Sequence, residues 1–224
     1  MTKPMVDYRD FRFSKLNDPQ FSHLKLLGGW LVYFLLYFLT ENLIPVEKCH
    51  LMHCAVDDWI PFNEFFFIPY CFWFLLTAVT LVYFLLYDVE NFRNFQIFIM
   101  ITQAVAMVVY ILYPSYQDLR PVSFERNNLF THVAAFIYAF DTPTGVCPSL
   151  HVAYSIGIAS CWLKEKKASP GWKVFVVFAA VLISFSTMAV KQHSFIDVMA
   201  AIPVGLLAEI LVFHKYWKKK LQKV

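Results

Sequence analysis

The chain has 224 residues, of which 59% are hydrophobic and 16% charged, with a net charge of +3. Soluble domains run about 45–50% apolar with about 25% charged residues, so this composition argues against an ordinary soluble globule. The first 23 residues are polar and mixed in charge. The apolar run after them is too long for the h-region of a signal peptide, so no cleavable signal is expected. A bilayer-crossing helix needs about 20 mostly apolar residues. Six runs are read as spans, at roughly 24–44, 65–87, 94–113, 148–163, 172–190 and 196–214. The fourth is the shortest, and a buried helix is the alternative to a full span there. The pattern predicts an all-α polytopic membrane protein, a single domain built as a six-transmembrane-helix bundle. The longest connection, about 114–146, is long enough for a functional lid or loop, and its "ERNN" and "DTPTG" stretches suit turns.

Six spans put the N-terminus, the 88–93 turn, the 164–171 loop and the C-terminus on one side. That side receives every basic residue except Lys48, Arg120, Arg126 and Lys191. Positive residues stay cytoplasmic, so both termini are expected inside, in a multi-pass protein of the cell membrane. The basic "KYWKKKLQK" (215–223) then reads as an anchor at anionic headgroups, and no nucleic-acid partner is expected.

Three polar segments converge on the opposite, extracytoplasmic side: "LRP" (119–121), "CPSLHVAYS" (147–155) and "KQHSFID" (191–197). His193 and Asp197 are four apart and share a face if helical. A carboxylate there fixes the imidazole tautomer and leaves the other nitrogen free to attack. The alternative is a buried polar pair joining two helices, but ionisable residues at membrane-helix ends mark function by default. Pro148 suits a first helical turn. The N–H groups of that turn favour an anion, Ser149 adds a hydroxyl, and His151 is expected one turn down, facing the bound anion. Arg120 offers a planar fork for phosphate oxygens, and Lys191 a point charge two residues before His193. Together they describe a phosphoryl-transfer site with nucleophile, acid, orienter and oxyanion clamp.

"RP" at 120–121, "PSLH" at 148–151 and "HSFID" at 193–197 resemble, in order and approximate spacing, the type 2 phosphatidic acid phosphatase superfamily. The pattern of that family is K-x6-R-P, P-S-G-H and S-R-x5-H-x3-D. The likeness covers roughly 113–197 by motif and the six-helix plan in outline. It implies a lipid phosphatase working at the outer face through a phosphohistidine on His193. Asp197 orients the nucleophile in that scheme, His151 protonates the leaving oxygen, and Arg120 with Ser149 holds phosphate. No metal or other cofactor is implied; the expected partners are a lipid phosphate substrate and membrane lipids. Tyr113 stands where the family has lysine, Leu150 where it has glycine, and Ser186–Thr187 where it has Ser-Arg. "PSLH" and the "IPF" of "DDWIPFNEFFFIPY" (57–70) resemble the branch of inositol phosphorylceramide synthase and related phosphotransferases. The acceptor therefore stays open between water and a lipid hydroxyl, and a non-catalytic lipid-binding or transport protein on the same scaffold is the alternative of another class. Lys191 is expected to share a helical face with Thr187 and to supply part of the missing arginine's charge.

"CHLMHC" (49–54) reads as a Cys49–Cys54 disulfide or free thiols. Its spacing is short for one zinc ion, and the remaining cysteines read as packing residues. The aromatic surplus reads as lipid-facing and interfacial. Nothing in the sequence sets an oligomeric state.

Overall fold

The computed structural model describes residues 4–221, with side chains described through residue 218. Lys3 and Lys223, and the side chains of Lys219 and Lys220, all counted in the charge asymmetry, lie outside the described residues. Eight α-helices occur among the described residues: α1 Gly28–Leu43, α2 Ala55–Trp59, α3 Phe67–Tyr87, α4 Val89–Leu112, α5 Leu129–Phe140, α6 Leu150–Lys164, α7 Pro170–Ala189 and α8 Phe195–Leu221. Two short strands, β1 His50–Leu51 and β2 Ser115–Tyr116, pair in parallel. The fold is all-α.

Five helical segments are long and apolar enough to cross a membrane: Ser22–Leu43, Glu64–Tyr87, Val89–Leu112, Pro170–Ala189 and Phe195–Lys218. They match the apolar runs read from the sequence, and they make this a membrane-protein architecture. The span expected over 148–163 is different. α6 has 15 residues, a rise of about 22 Å, against a hydrocarbon core of about 30 Å. Most of its residues are buried, in contact with α3, α4, α7 and α8. A helix screened from lipid by its neighbours need not match the bilayer thickness, so α6 is the central strut of the bundle. Gly157 lets α4 come close to it, since a Cβ there would stand 2.7 Å from the Phe98 ring.

Polar ties hold the greasy core in register. Gln103 Nε2 donates to Tyr154 Oη at 2.7 Å, Trp30 Nε1 to Gln96 at 3.1 Å and Trp162 Nε1 to Thr80 at 3.0 Å. Such bonds join helices in lipid, where apolar burial gives no net drive between them.

The 114–146 connection is largely structured. Asn128, from "ERNN", caps α5 by accepting from the N–H groups of Phe130 and Thr131, and Thr131 returns the bond in a capping box. β2 pairs with β1 and also bridges to the chain around Thr144. These elements gather at one end of the bundle, where α4 and α7 finish and α6 and α8 begin. That end carries the candidate site.

Candidate active site

The turn between α7 and α8 positions the proposed nucleophile. α7 stops at Ala189, and Lys191 follows with φ of 53°. The Lys191 N–H donates to Met188 O, and the Gln192 N–H to Thr187 O, both at 3.0 Å. This is the Schellman pattern that usually places glycine in the left-handed position. A lysine stands there because its ammonium gains partners: Lys191 Nζ donates to Asp57 O at 2.8 Å and to Ile60 O at 2.5 Å. Burial pulls this ammonium below the usual lysine range, opposed by Asp57 and Asp58.

α8 then starts with a second reciprocal motif. The Ser194 N–H donates to Asp197 Oδ2 at 2.8 Å, and the Asp197 N–H to Ser194 Oγ at 3.4 Å. "SFID" is thus a capping box. The same Oδ2 faces His193 Nδ1 at 3.4 Å, so one carboxylate both starts the helix and orients the imidazole. Asp57, in α2, reaches across to accept from the Phe195 N–H at 2.7 Å.

α6 begins against this turn. The Ser149 N–H donates to Asp197 O at 3.1 Å, and Tyr110 Oη to Pro148 O at 3.0 Å. His151 stacks between Tyr70 and Trp73, at ring-centroid distances of 4.6 and 4.2 Å. Its ring lies 5.8 Å from that of His193. Both histidines line a cavity of about 630 Å³ that also meets Gln192 and Asp141. From this polar end the cavity continues along Trp30, Trp73 and Thr77 to Leu81, an apolar trough between α1 and α3.

Several polar atoms in the segments around His193 are buried without a hydrogen-bond partner: Ser149 Oγ, His151 Nε2, Gln192 Nε2, Arg120 Nε and Asp197 Oδ1. Buried polar groups are nearly always paired, and each exception asks for an explanation. Here five fall in the segments that surround His193.

The structure brings His193, His151, Asp197 and Ser149 together, and it corrects two expectations. Lys191 does not share a face with Thr187, because the helix ends between them; Thr187 is fully buried, its hydroxyl bonded to Ser184 O at 2.8 Å. The Lys191 ammonium turns away onto the carbonyls next to α2. The terminal nitrogens of Arg120 are also taken. Nη1 donates to Tyr138 O and Asp141 O at 3.3 and 2.8 Å, and Nη2 to Thr142 O and Gln192 Oε1 at 3.3 and 2.5 Å. The fork that was expected to clamp phosphate ties α5 and the 141–142 loop to the turn that carries His193 instead.

Asp57 and Gln192 are the residues that the sequence reading missed. Asp57 was legible only as a local capping signal: its Oδ2 accepts from the Cys54 N–H at 2.9 Å. Gln192, between two singled-out residues, carried no signal of its own. The "CHLMHC" side chains disperse: His50 stacks on Tyr113 at 3.9 Å, His53 sits between Asp58 and Asp118, and Cys49 and Cys54 are free thiols. Among the described residues no group of three or more His, Cys, Asp or Glu is placed to share a metal ion.

Compared with family models, curated proteins and solved structures, the chain has no match. The functional reading therefore stands on motif and geometry.

Proposed function

We propose that this chain is a membrane enzyme that hydrolyses a lipid phosphate at the outer face of the membrane through a phosphohistidine on His193. The observation that carries the reading is the pair of histidines at the polar end of an otherwise apolar trough, 5.8 Å apart by ring centroid. The first, His193, is oriented by Asp197; around both lie buried polar atoms without partners. In this scheme Asp197 holds the proton on His193 Nδ1, and Nε2 attacks phosphorus. The ester P–O bond breaks as the P–N bond forms, and His151 gives its proton to the leaving oxygen. Ser149 Oγ and the first N–H groups of α6 face the developing negative charge on phosphate, where preorganised donors matter most. Water then attacks phosphorus and gives a proton to His151, and the P–N bond breaks to release phosphate and the free His193 imidazole.

The trough supports a lipid tail, since sites for such ligands are concave and mostly apolar with a few convergent polar groups. It also supports a second reading, in which a lipid hydroxyl held there replaces water as the acceptor. Purified protein incubated with a panel of phosphorus-radiolabelled lipids, with and without an added lipid alcohol, tests both. Free phosphate or a free phospho-headgroup marks hydrolysis, and label that moves onto the alcohol marks transfer. Absence of either product with every lipid would favour a non-catalytic lipid-binding protein.

A further inference from the structure

The rim of the cavity carries a charge pattern that phosphate chemistry alone does not use. Asp141 lines the cavity with Gln192 and His193. Beside it stands Glu41, from the end of α1: Thr142 Oγ1 donates to Glu41, and the Tyr37 side chain lies beside both carboxylates. Among the described residues the cation paired with this group is Arg120, 3.7 Å from Asp141, and its terminal N–H groups are already held by carbonyls and Gln192. Lys191 points elsewhere, and Tyr113 and Thr187 are neutral. Asp197 stands behind His193 and Asp141 lines the cavity with it, Glu41 stands beside Asp141, and one guanidinium faces this group.

A doubly charged phosphate monoester would enter this field with no lysine or arginine among the residues that line the cavity. A second observation points to a ligand at the same place. Gln192 is 3% exposed and lines the cavity, yet its Nε2 has no acceptor. An amide donor buried this way is matched by an oxygen of whatever fills the cavity. The rings of Tyr33, Tyr37 and Phe140 line the same wall, and aromatic faces attract ammonium groups, quaternary ones included.

We propose that the amphiphile bound here carries a cationic group next to its phosphate, an ammonium or quaternary ammonium headgroup seated against Asp141, Glu41 and the Tyr37 ring, while Gln192 donates to a phosphate oxygen. This deepens the lipid-phosphate reading and rests on it for the position of the phosphate. It replaces a dianionic monoester with a ligand whose own charge completes the site. Low net charge is what a cavity lined by Asp141, with Glu41 and Asp197 close behind its wall and Arg120 already engaged, selects.

Trp30 and Trp73 line the cavity, so their fluorescence reports occupancy. The full chain in maltoside micelles is titrated with dihexanoyl phosphatidylcholine and, separately, with dihexanoyl phosphatidate. The choline lipid is expected to bind at least about tenfold more tightly, and Glu41→Gln to shrink that gap to about threefold, because like charges across a contact are costly and opposite ones select. Asp141→Asn should act the same way; Glu41→Gln, at the half-exposed end of α1, covers the case in which the Asp141 variant fails to fold. Phosphatidate binding as tightly as the choline lipid, a preference unchanged in both variants, or no response to either lipid would overturn the proposal. Binding needs no turnover, so the two readings fail separately. A choline preference without any phosphoenzyme sinks the chemistry alone, and a phosphoenzyme without a choline preference sinks the subsite alone.

Discussion

Lys191 and His193 are two residues apart, yet their side chains serve opposite faces of one turn. The His193 ring lines the cavity, while the Lys191 ammonium is bonded to the carbonyls of Asp57 and Ile60 at 2.8 and 2.5 Å. The lysine is a clasp that holds the turn, and with it the imidazole, against the segment containing α2.

The clasp sets a stability order. Lys191→Ala leaves two buried carbonyls without their donor, at roughly 1–3 kcal/mol for each group left unsatisfied, and keeps a Cβ in the left-handed position. Lys191→Gly loses the same bonds but relieves the backbone by about 1 kcal/mol. Thermal unfolding in detergent should therefore rank wild type above Lys191→Gly, and Lys191→Gly above Lys191→Ala. Adding Thr187→Arg should lower stability further, since that side chain is fully buried and an unpaired guanidinium there is expensive. Restored activity in the Lys191→Ala, Thr187→Arg double variant would mean that Lys191 acts on phosphate after all.

His53 gives the site end a pH dependence. Its ring bridges Asp58 at 2.9 Å and Asp118 at 3.1 Å, and the hydrogen bonds it donates to those carboxylates, Asp58 foremost, raise its pKa above the ordinary 6.5. A raised imidazole pKa means a contribution fully present below the unfolded value and lost as pH rises through the folded one. The bridge between α2 and the 118 loop should therefore weaken with rising pH in that window. NMR titration of His53 should show an elevated midpoint that falls in Asp58→Asn and falls again in Asp58→Asn, Asp118→Asn. A midpoint that ignores both changes would remove the bridge from the account.

Much of the fold was legible because it depends on local pattern. Apolar runs mark α1, α3, α4, α7 and α8, and the four-residue step from His193 to Asp197 announces a shared helix start. What was not legible depends on distant partners. The apolar run ends within a residue of Ala189, but nothing near Lys191 signals the left-handed turn there, since lysine is a poor candidate for that position. It is held there by carbonyls that lie more than a hundred residues upstream. Arg120 is in the same position: its four acceptors come from the 138–142 segment and from Gln192, a placement that no spacing in the sequence predicts. α5 was read as loop because its 12 residues are too few to span, although the Asn128 cap was present in the text of the chain.

The sidedness expected from the basic residues is testable by labelling. In a background with Cys49, Cys54 and Cys71 changed to alanine, Ser123→Cys places an exposed thiol at the site end and Lys166→Cys one at the opposite end. A membrane-impermeant maleimide should label the first on intact cells and the second only after lysis. The reverse pattern would put the histidine pair in the cytoplasm.

The central claim is that His193 forms a covalent bond to phosphorus. Purified protein should be mixed with phosphorus-radiolabelled phosphatidate or phosphatidylcholine, quenched in base and separated under denaturing conditions. Wild type should carry base-stable, acid-labile label. His193→Ala should carry none, and Asp197→Asn should form it about 10⁴-fold more slowly, as the wrong tautomer does in other histidine–carboxylate pairs. Label of the same stability persisting in folded His193→Ala protein would contradict the account and move the nucleophile elsewhere.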